Sequence, residues 1–348
     1  MDRRINFFKS FALKKSDFKS IRLFETILNF SVQSPSHMSQ SSPGPLNEPL
    51  HSVHVGADPM SHPRVDGGKV EESVDPKQLK QLTQPSSTKA NEMLVVLLHG
   101  LCSSSQELLP VDEVLKKAGF HTKSLIIPGY SFELKKTKQV AKSFEGWLAF
   151  VENEVIKLKS TYKKVILIGI SAGANVALGV AVKNSAIVDG LVLMSTPLIL
   201  DGWNIPFYHF LFPIALYTPI GRLWSYEEKP PYGLKNERIR AWVAKDLKAR
   251  RLSSAGASVL EVTHLREHDR LQKYLLREMA NTAAPPTLVL HANEDEVASL
   301  ENVRFIQMNW KTSLLHCHVL ENSYHMISWD NDRAEVCQKV VDFLEELT

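Results

Sequence analysis

The sequence contains few cysteines, no long apolar run and almost no net charge. Its three cysteines, Cys102, Cys317 and Cys337, lie far apart without a C-x-x-C pair, which argues against a disulfide framework and against a zinc cluster. No run of 18 apolar residues exists, and charged residues interrupt the apolar ones in the first 30 positions, so we predict neither a membrane-spanning helix nor a secretory signal. We therefore expect a cytoplasmic protein.

The chain has 41 lysine and arginine residues against 38 aspartate and glutamate residues, a net charge of +3. The first 37 residues carry seven basic side chains against three acidic ones, so the rest of the chain is close to neutral. Residues 38–348 therefore offer no continuous basic face, and we expect no binding to nucleic acid. With 44% hydrophobic residues, a chain of 348 residues can bury a large core.

Residues 1–92 differ in composition from the rest of the chain. Positions 31–92 are rich in Ser, Pro, Gln, His and Lys without periodicity, which is typical of a disordered linker. Positions 6–30 place apolar residues loosely at helical spacing among lysines, and this pattern fits either a basic amphipathic helix that touches a membrane or partner, or an unstructured extension. We favour the extension and predict a basic, disordered leader over 1–92, followed by one domain over 93–348.

From residue 93 onward, short aliphatic runs alternate with amphipathic helical patterns. The runs lie at 93–98, 124–127, 165–168, 190–194, 287–290 and 314–320. Such alternation is typical of an α/β fold, with a mostly parallel sheet of about six strands and helices on both faces. From 197 to 283 the alternation stops, and we predict a largely helical cap insertion with helices near 238–251 and 268–279. We expect most of its aromatic residues to form the core of the cap, and the remainder to line an apolar pocket or touch a membrane.

The strongest chemical signal is the G-x-S-x-G sequence from Gly169 to Gly173. It comes directly after a predicted strand and opens a helical pattern, which is the context in which a serine is exposed on a sharp turn. Flanking glycines leave room for the turn, and the N–H groups at the helix start, beginning with Ala172, can stabilise an oxyanion. Ser171 is therefore a candidate nucleophile.

A serine nucleophile needs a histidine base and an acid, and in this topology both lie after later strands, the acid before the histidine in the chain. Residues 294–296 (Glu-Asp-Glu) are acid candidates that physics alone does not separate, and we favour Asp295 because its shorter side chain suits a fixed turn. His325 lies in a loop, whereas His316 and His318 alternate within a predicted strand, so we favour His325. A second oxyanion donor is expected after an early strand, where Leu101 N–H would pair with Ala172 N–H and His99 and Gly100 would shape the loop.

Four stretches together resemble the carboxylesterase and monoacylglycerol lipase-like branch of the α/β-hydrolase superfamily. They are HGLCSSSQELLPVDEVLKKAGF at 99–120, GISAG at 169–173, HANEDEVAS at 291–299 and SYHMISWD at 323–330. The resemblance implies Ser171, Asp295 and His325 as a catalytic triad, and it favours Asp295 because the acid of the family stands two positions before an aliphatic residue. The early loop reads HGLC rather than HGGG, and Pro128-Gly129-Tyr130 replaces the usual PGHG.

We accordingly expect a serine hydrolase that cleaves small-molecule or lipid carboxylic esters without a metal or organic cofactor. A thioesterase or an aminopeptidase-like hydrolase of the same fold is the alternative, and a non-catalytic binding protein of this fold is a further one. The cap or the basic leader could provide peripheral membrane contact. The sequence predicts no oligomeric state.

Overall fold

The structure is a computed structural model that describes residues 92–132, 140–219, 225–250, 252–253, 256–257 and 259–348. Except for Glu92, the predicted leader lies outside these residues, and its disorder stays a prediction. The strands are, in chain order, β1 (Met93–Leu98), β2 (His121–Ser124), β3 (Lys164–Ile170), β4 (Gly190–Met194), β5 (Ser225–Glu227), β6 (Leu252–Ser253), β7 (Gly256–Ala257), β8 (Val259–Glu261), β9 (Ala283–Ala284), β10 (Thr287–Ala292), β11 (Lys311–Thr312) and β12 (Leu315–Leu320).

Six of these strands form one parallel sheet in the order β12-β10-β4-β3-β1-β2. Strands β1 and β4 are buried along their whole length, as expected for aliphatic strands covered on both faces. The prediction for β2 was wrong, because the strand is the polar segment His121–Ser124 and not 124–127. Leu125 and Ile127 are buried in the loop after β2, so their hydrophobicity reflects loop packing.

Helices cover both faces of the sheet. They are α1 (Leu109–Lys117), α2 (Phe144–Lys159), α3 (Ala172–Lys183), α4 (Phe212–Tyr217), α5 (Glu237–Arg250), α6 (Val262–Glu278), α7 (Glu301–Asn309) and α8 (Arg333–Glu346). One apolar cluster joins the sheet to α2, α3 and α6, and a second joins it to α1, α5 and α8. The predicted α/β fold is therefore confirmed. Within the described ranges, no helix combines the length and the apolar character needed to cross a membrane.

The chain between β4 and β10 contains the segment predicted to be the cap. It contains α4, α5 and α6, and it also contains two antiparallel strand pairs, β5–β8 and β6–β7, which the largely helical prediction did not include. The second predicted helix starts earlier, at Val262. The expectation that the cap aromatics form a core was wrong for Trp203, Phe210 and Tyr217, which are 58%, 65% and 46% exposed. Trp203 and Phe210 lie before α4, and within α4 only Leu216 is buried while Tyr217 stays exposed.

Candidate active site

The turn after β3 holds a serine in a conformation that side-chain-bearing residues rarely adopt. Ser171 has φ 54° and ψ −127°, and α3 begins at the next residue. A positive φ is unfavourable for serine and persists only where the surroundings enforce it. The N–H of Ser171 donates to Met194 O at 2.9 Å, which fixes the turn at the carboxyl edge of the sheet.

The glycines on either side of this turn are required by backbone contacts. A Cβ atom on Gly169 would lie 2.3 Å from Gly173 O. A Cβ atom on Gly173 would lie 2.2 Å from Leu98 O and 2.4 Å from His99 O. The turn therefore packs directly against the loop after β1, which is where the sequence predicts the second oxyanion donor.

A hydrogen-bonded chain connects the serine to a histidine and an aspartate from two other loops. His325 Nε2 lies 2.8 Å from Ser171 Oγ, and His325 Nδ1 lies 2.8 Å and 2.9 Å from the two carboxylate oxygens of Asp295. Because an ionised carboxylate only accepts hydrogen bonds, the ring proton is assigned to Nδ1. Nε2 is then free to accept the proton of the serine hydroxyl.

The carboxylate of Asp295 is itself held by the backbone. Its Oδ1 accepts the N–H groups of Val297 at 2.8 Å and Ala298 at 2.9 Å. His291 Nε2 lies 2.7 Å from Ala298 O and 3.4 Å from Asp295 Oδ2. These contacts fix the orientation of the carboxylate, and through it the imidazole ring of His325.

The two glutamates beside Asp295 have different contacts. Glu294 is exposed and pairs with Lys235. Glu296 is buried, and its Oε2 accepts the backbone N–H of His325 at 3.0 Å. The structure thus brings Asp295, and neither neighbour, to the imidazole ring. The three acids that the sequence could not separate occupy three distinct environments.

The alternative histidines lie away from the serine. His316 Nε2 is 2.9 Å from Glu346, and His318 Nε2 is 2.6 Å from Glu335. Both glutamates belong to α8, so these strand histidines attach the last helix to the edge of the sheet. This is the structural role that in-strand histidines usually have.

Opposing effects set the pKa of His325. Burial alone would lower it, but the carboxylate of Asp295, together with Glu296 and Glu228, raises the pKa of His325 to about 9. Asp295 shows the reciprocal effect. Burial would raise its pKa, yet the charge and hydrogen bond of His325 hold the pKa of Asp295 below its usual value.

The loop after β1 is fastened by several polar contacts. Tyr130 Oη donates to His99 O at 2.7 Å, and His99 Nε2 lies 2.7 Å from Ser131 Oγ. His99 Nδ1 lies 2.7 Å from Gly100 O. Burial lowers the pKa of His99 to about 4, so the ring is neutral and donates from Nδ1 to the carbonyl of Gly100. Leu101, the next residue, is half-buried.

Two carboxylates near this site were not among the residues predicted from the sequence. Glu107 is buried in the short 3-10 helix before α1, and burial raises its pKa to about 7. Glu228, the residue after β5 in the cap, is half-buried, and burial together with the charges of Glu296 and Glu107 raises its pKa to about 7. Glu228 belongs to none of the four stretches that carry the resemblance, and although Glu107 lies within 99–120, nothing in that stretch marks it as a site residue. Only the proximity created by folding could have revealed them.

The cap contacts the helix of the nucleophile turn through polar groups as well as apolar ones. His268 Nε2 on α6 lies 2.9 Å from Asn175 Nδ2 on α3. Gln272 Nε2 and Asn175 Nδ2 both donate to Pro197 O, at 2.5 Å and 3.0 Å. Burial lowers the pKa of His268 to about 4, so this connection involves a neutral ring.

Comparison with known proteins agrees with this geometry. The family model described as serine aminopeptidase, S33, matches residues 89–332. The chain belongs to this family. The predicted resemblance to α/β-hydrolases and the prediction of a hydrolase are thereby confirmed. The thermostable monoacylglycerol lipase of Bacillus sp. (strain H-257) is 23% identical to this S33 family member over 255 residues, which cover 72% of this chain and 89% of the lipase.

Two solved structures share the fold at low identity. A monoacylglycerol lipase of Paleococcus ferrophilus has a TM-score of 0.61 and 20% identity, and the match covers 73% of this chain and 95% of that one. A soluble variant of monoglyceride lipase from Saccharomyces cerevisiae, in complex with a substrate analogue, has a TM-score of 0.62 and 15% identity. The match covers 76% of this chain and 89% of that one. The fold of this S33 family member is therefore that of known lipases.

Proposed function

We propose that the protein is a serine hydrolase that cleaves carboxylic esters through an acyl-enzyme on Ser171, as a carboxylesterase or a monoacylglycerol lipase-like enzyme. The observation that carries the proposal is the chain of contacts from Ser171 Oγ through His325 to Asp295, with 2.8 Å at the serine and 2.8 Å at the nearer carboxylate oxygen. The lipases among the similar proteins favour ester substrates.

In the acylation step, Ser171 Oγ attacks the ester carbonyl carbon while His325 Nε2 accepts the hydroxyl proton. Asp295 keeps the proton of the ring on Nδ1 and stabilises the imidazolium that forms. The imidazolium then gives its proton to the leaving alcohol, and the acyl group remains on Ser171. Water, deprotonated by His325, cleaves the acyl-enzyme and releases the acid.

The tetrahedral oxyanion needs hydrogen-bond donors. We assign this role to the backbone N–H groups of Leu101 and Ala172. Ala172 is the first residue of α3, where N–H groups lack partners within the helix and the helix dipole favours negative charge. Leu101 comes two residues after His99, whose carbonyl group packs against Gly173, so its N–H can approach the same oxygen.

The substrate that fits this proposal is a small-molecule or lipid ester. Apolar side chains lie exposed on the outer face of the cap, with Phe210 65%, Leu211 46% and Ile214 52% exposed. Such a surface can contact a membrane from which a lipid ester is drawn. No metal or organic cofactor takes part in the proposed steps.

Labelling with a fluorophosphonate tests the nucleophile. The wild-type protein should react at Ser171, and Ser171→Ala should lose labelling and lower kcat on p-nitrophenyl esters by about 10⁵-fold or more. The matched control is Ser160→Ala, at an exposed serine that follows α2. This variant should keep both the fluorophosphonate labelling and the kcat of the wild type. A wild-type protein that neither reacts nor hydrolyses esters would show the non-catalytic alternative to be correct.

A second candidate activity is indicated by the description of the family model, which is that of an aminopeptidase. The esterase and aminopeptidase activities can be distinguished with a panel of substrates in which one aminoacyl group is presented as an ester, as a thioester and as an amide. We expect kcat/KM to be highest for the esters. A higher value for the aminoacyl amides would replace the esterase proposal with a peptidase, and a higher value for the thioesters would replace it with a thioesterase.

A further inference from the structure

A buried carboxylate lies against the loop that carries the proposed donor Leu101. Glu107 is 4% exposed, and its Oε2 accepts the N–H of Gly100 at 2.5 Å. A Cβ atom on Gly100 would lie 3.0 Å from the same oxygen, so the carboxylate is packed directly onto the backbone.

Two consecutive peptide groups are fixed at this point. The peptide that joins His99 to Gly100 donates its N–H to Glu107. The peptide that joins Gly100 to Leu101 accepts a hydrogen bond from His99 Nδ1 through Gly100 O, at 2.7 Å. Because a trans peptide is planar, its N–H points opposite to its carbonyl group. Fixing Gly100 O therefore also fixes the direction of the Leu101 N–H.

The backbone around Glu107 is attached in turn to the loop of the base. Ser328 Oγ donates to Glu107 O at 2.6 Å, and Trp329 Nε1 donates to Gln106 O at 2.8 Å. Ser328 and Trp329 lie three and four residues after His325 in the chain. The short helix of Glu107 thus connects the loop of the proposed oxyanion donor to the loop of the proposed general base.

We propose that Glu107 is a positioning residue for the oxyanion hole: its carboxylate holds the Gly100 N–H while His99 Nδ1 holds Gly100 O, and the two contacts together direct the Leu101 N–H at the carbonyl oxygen of the substrate. This role rests on the proposed function, because it takes Leu101 as a donor. Glu107 does not touch the reacting atoms. What the loop requires of it is an oxygen that accepts the Gly100 N–H, which a glutamine side chain also provides.

Steady-state kinetics and inhibitor binding on three variants test this role. Glu107→Ala removes the acceptor, Glu107→Gln keeps an acceptor without charge, and Glu113→Ala changes an exposed glutamate on α1 as a matched control. For each variant, kcat and KM are measured on p-nitrophenyl butyrate. Inhibition constants are measured for a propyl trifluoromethyl ketone, which forms an oxyanion on the serine, and for the corresponding secondary alcohol, which forms none.

We expect Glu107→Ala to lower kcat by about 10- to 100-fold with little change in KM, because removal of a whole oxyanion donor costs about 10²- to 10³-fold and here the donor is only misdirected. Binding of the trifluoromethyl ketone should weaken by a similar factor, while binding of the alcohol should stay the same. For Glu107→Gln, kcat and the inhibition constant of the ketone should stay within a few-fold of the wild-type values. For Glu113→Ala, both should equal the wild-type values.

A folded Glu107→Ala protein with wild-type kcat would overturn the proposal, and so would equal losses in ketone and alcohol binding, which indicate general damage. A Glu107→Gln variant with a kcat as low as that of Glu107→Ala would also contradict the proposal. It would show that the activity depends on the negative charge of Glu107 and not on a hydrogen bond to the Gly100 N–H. If Glu107→Ala does not fold, Glu107→Asp, whose carboxylate is one methylene shorter, gives the same comparison. An inactive, unlabelled wild type refutes the proposed function itself, whereas an active wild type with an unaffected Glu107→Ala refutes only the positioning role.

Discussion

The turn that carries Ser171 and the outer face of the cap are packed in opposite ways. At the turn, backbone atoms approach so closely that a Cβ atom on Gly173 would lie 2.2 Å from Leu98 O. On the cap, Phe210 and Ile214 leave 65% and 52% of their surface exposed. The proposed chemistry therefore depends on a backbone conformation that leaves no space for an added side chain. The exposed side chains of the cap, in contrast, contribute little to the stability of the fold.

Substitution of a turn glycine should have the largest effect on the fold. Gly173→Ala places a methyl group against two carbonyl oxygens, so we expect a loss of about 3 kcal/mol or more in the free energy of unfolding, together with most of the esterase activity. Gly146→Ala is the matched control. Its Cβ atom would lie 3.6 Å from Ser143 Oγ, an ordinary contact inside α2, and alanine should stabilise the helix by up to about 1 kcal/mol. Urea unfolding measures the free energy of unfolding of both variants. If Gly173→Ala were as stable as Gly146→Ala, the backbone at the serine turn would not be as closely packed as described.

The carboxylate of Glu228 extends the comparison, because it belongs to the cap but acts on the fixed site. The general base works only when its ring is neutral, so with a pKa of about 9 the value of kcat/KM should fall as the pH drops through about 9. Glu228→Gln removes a negative charge that raises the pKa of His325, so this acid limb should move to lower pH.

The matched control for this shift is Glu227→Gln, which changes an exposed neighbour of Glu228. Its pH profile should overlay that of the wild type. The readout is kcat/KM on an uncharged ester between pH 5 and 10. An acid limb that stays in place in Glu228→Gln would mean that the cap carboxylate does not influence the base.

Substitutions on the outer face of the cap should have the smallest effect on stability. Phe210→Ser and Ile214→Ser should each change the free energy of unfolding by no more than about 0.5 kcal/mol, because little of either side chain is buried. Both should weaken sedimentation with phosphatidylcholine vesicles if this face contacts a membrane. Met308→Ser, at a residue 74% exposed on α7, is the matched control and should leave vesicle binding unchanged. Equal binding by all three variants would remove the membrane role from the cap.

The parts of the fold that the sequence predicts well are those where one physical effect dominates. Strands β1 and β4 match the predicted positions residue for residue, because strands buried on both faces are aliphatic throughout. The general tendency of aromatic residues to be buried predicts that the cap aromatics form a core. In α4 and the segment before it, that tendency gives the wrong result for Trp203, Phe210 and Tyr217.

The site shows a similar division. Ser171, Asp295 and His325 lie in loops at the ends of strands, where the spacing of motifs predicts them, and the structure places both Ser171 and Asp295 within hydrogen-bonding distance of His325. Glu107 lies in the stretch 99–120 and Glu228 in the cap, and nothing in either sequence segment marks them as site residues. The raised pKa of His325 depends first on Asp295 and then on Glu296 and Glu228, and this charge arrangement exists only in the folded chain.

Within the part of the chain that the structure describes, strand β2 lies at one end of the parallel sheet and has four residues, His-Thr-Lys-Ser. A border strand exposes unpaired N–H and C=O groups that another chain could use to extend the sheet. Short length and a lysine, here Lys123 paired with Glu154, make that extension unfavourable. The polar character that conceals β2 in the sequence is therefore also the feature that we expect to disfavour edge-to-edge association at this strand.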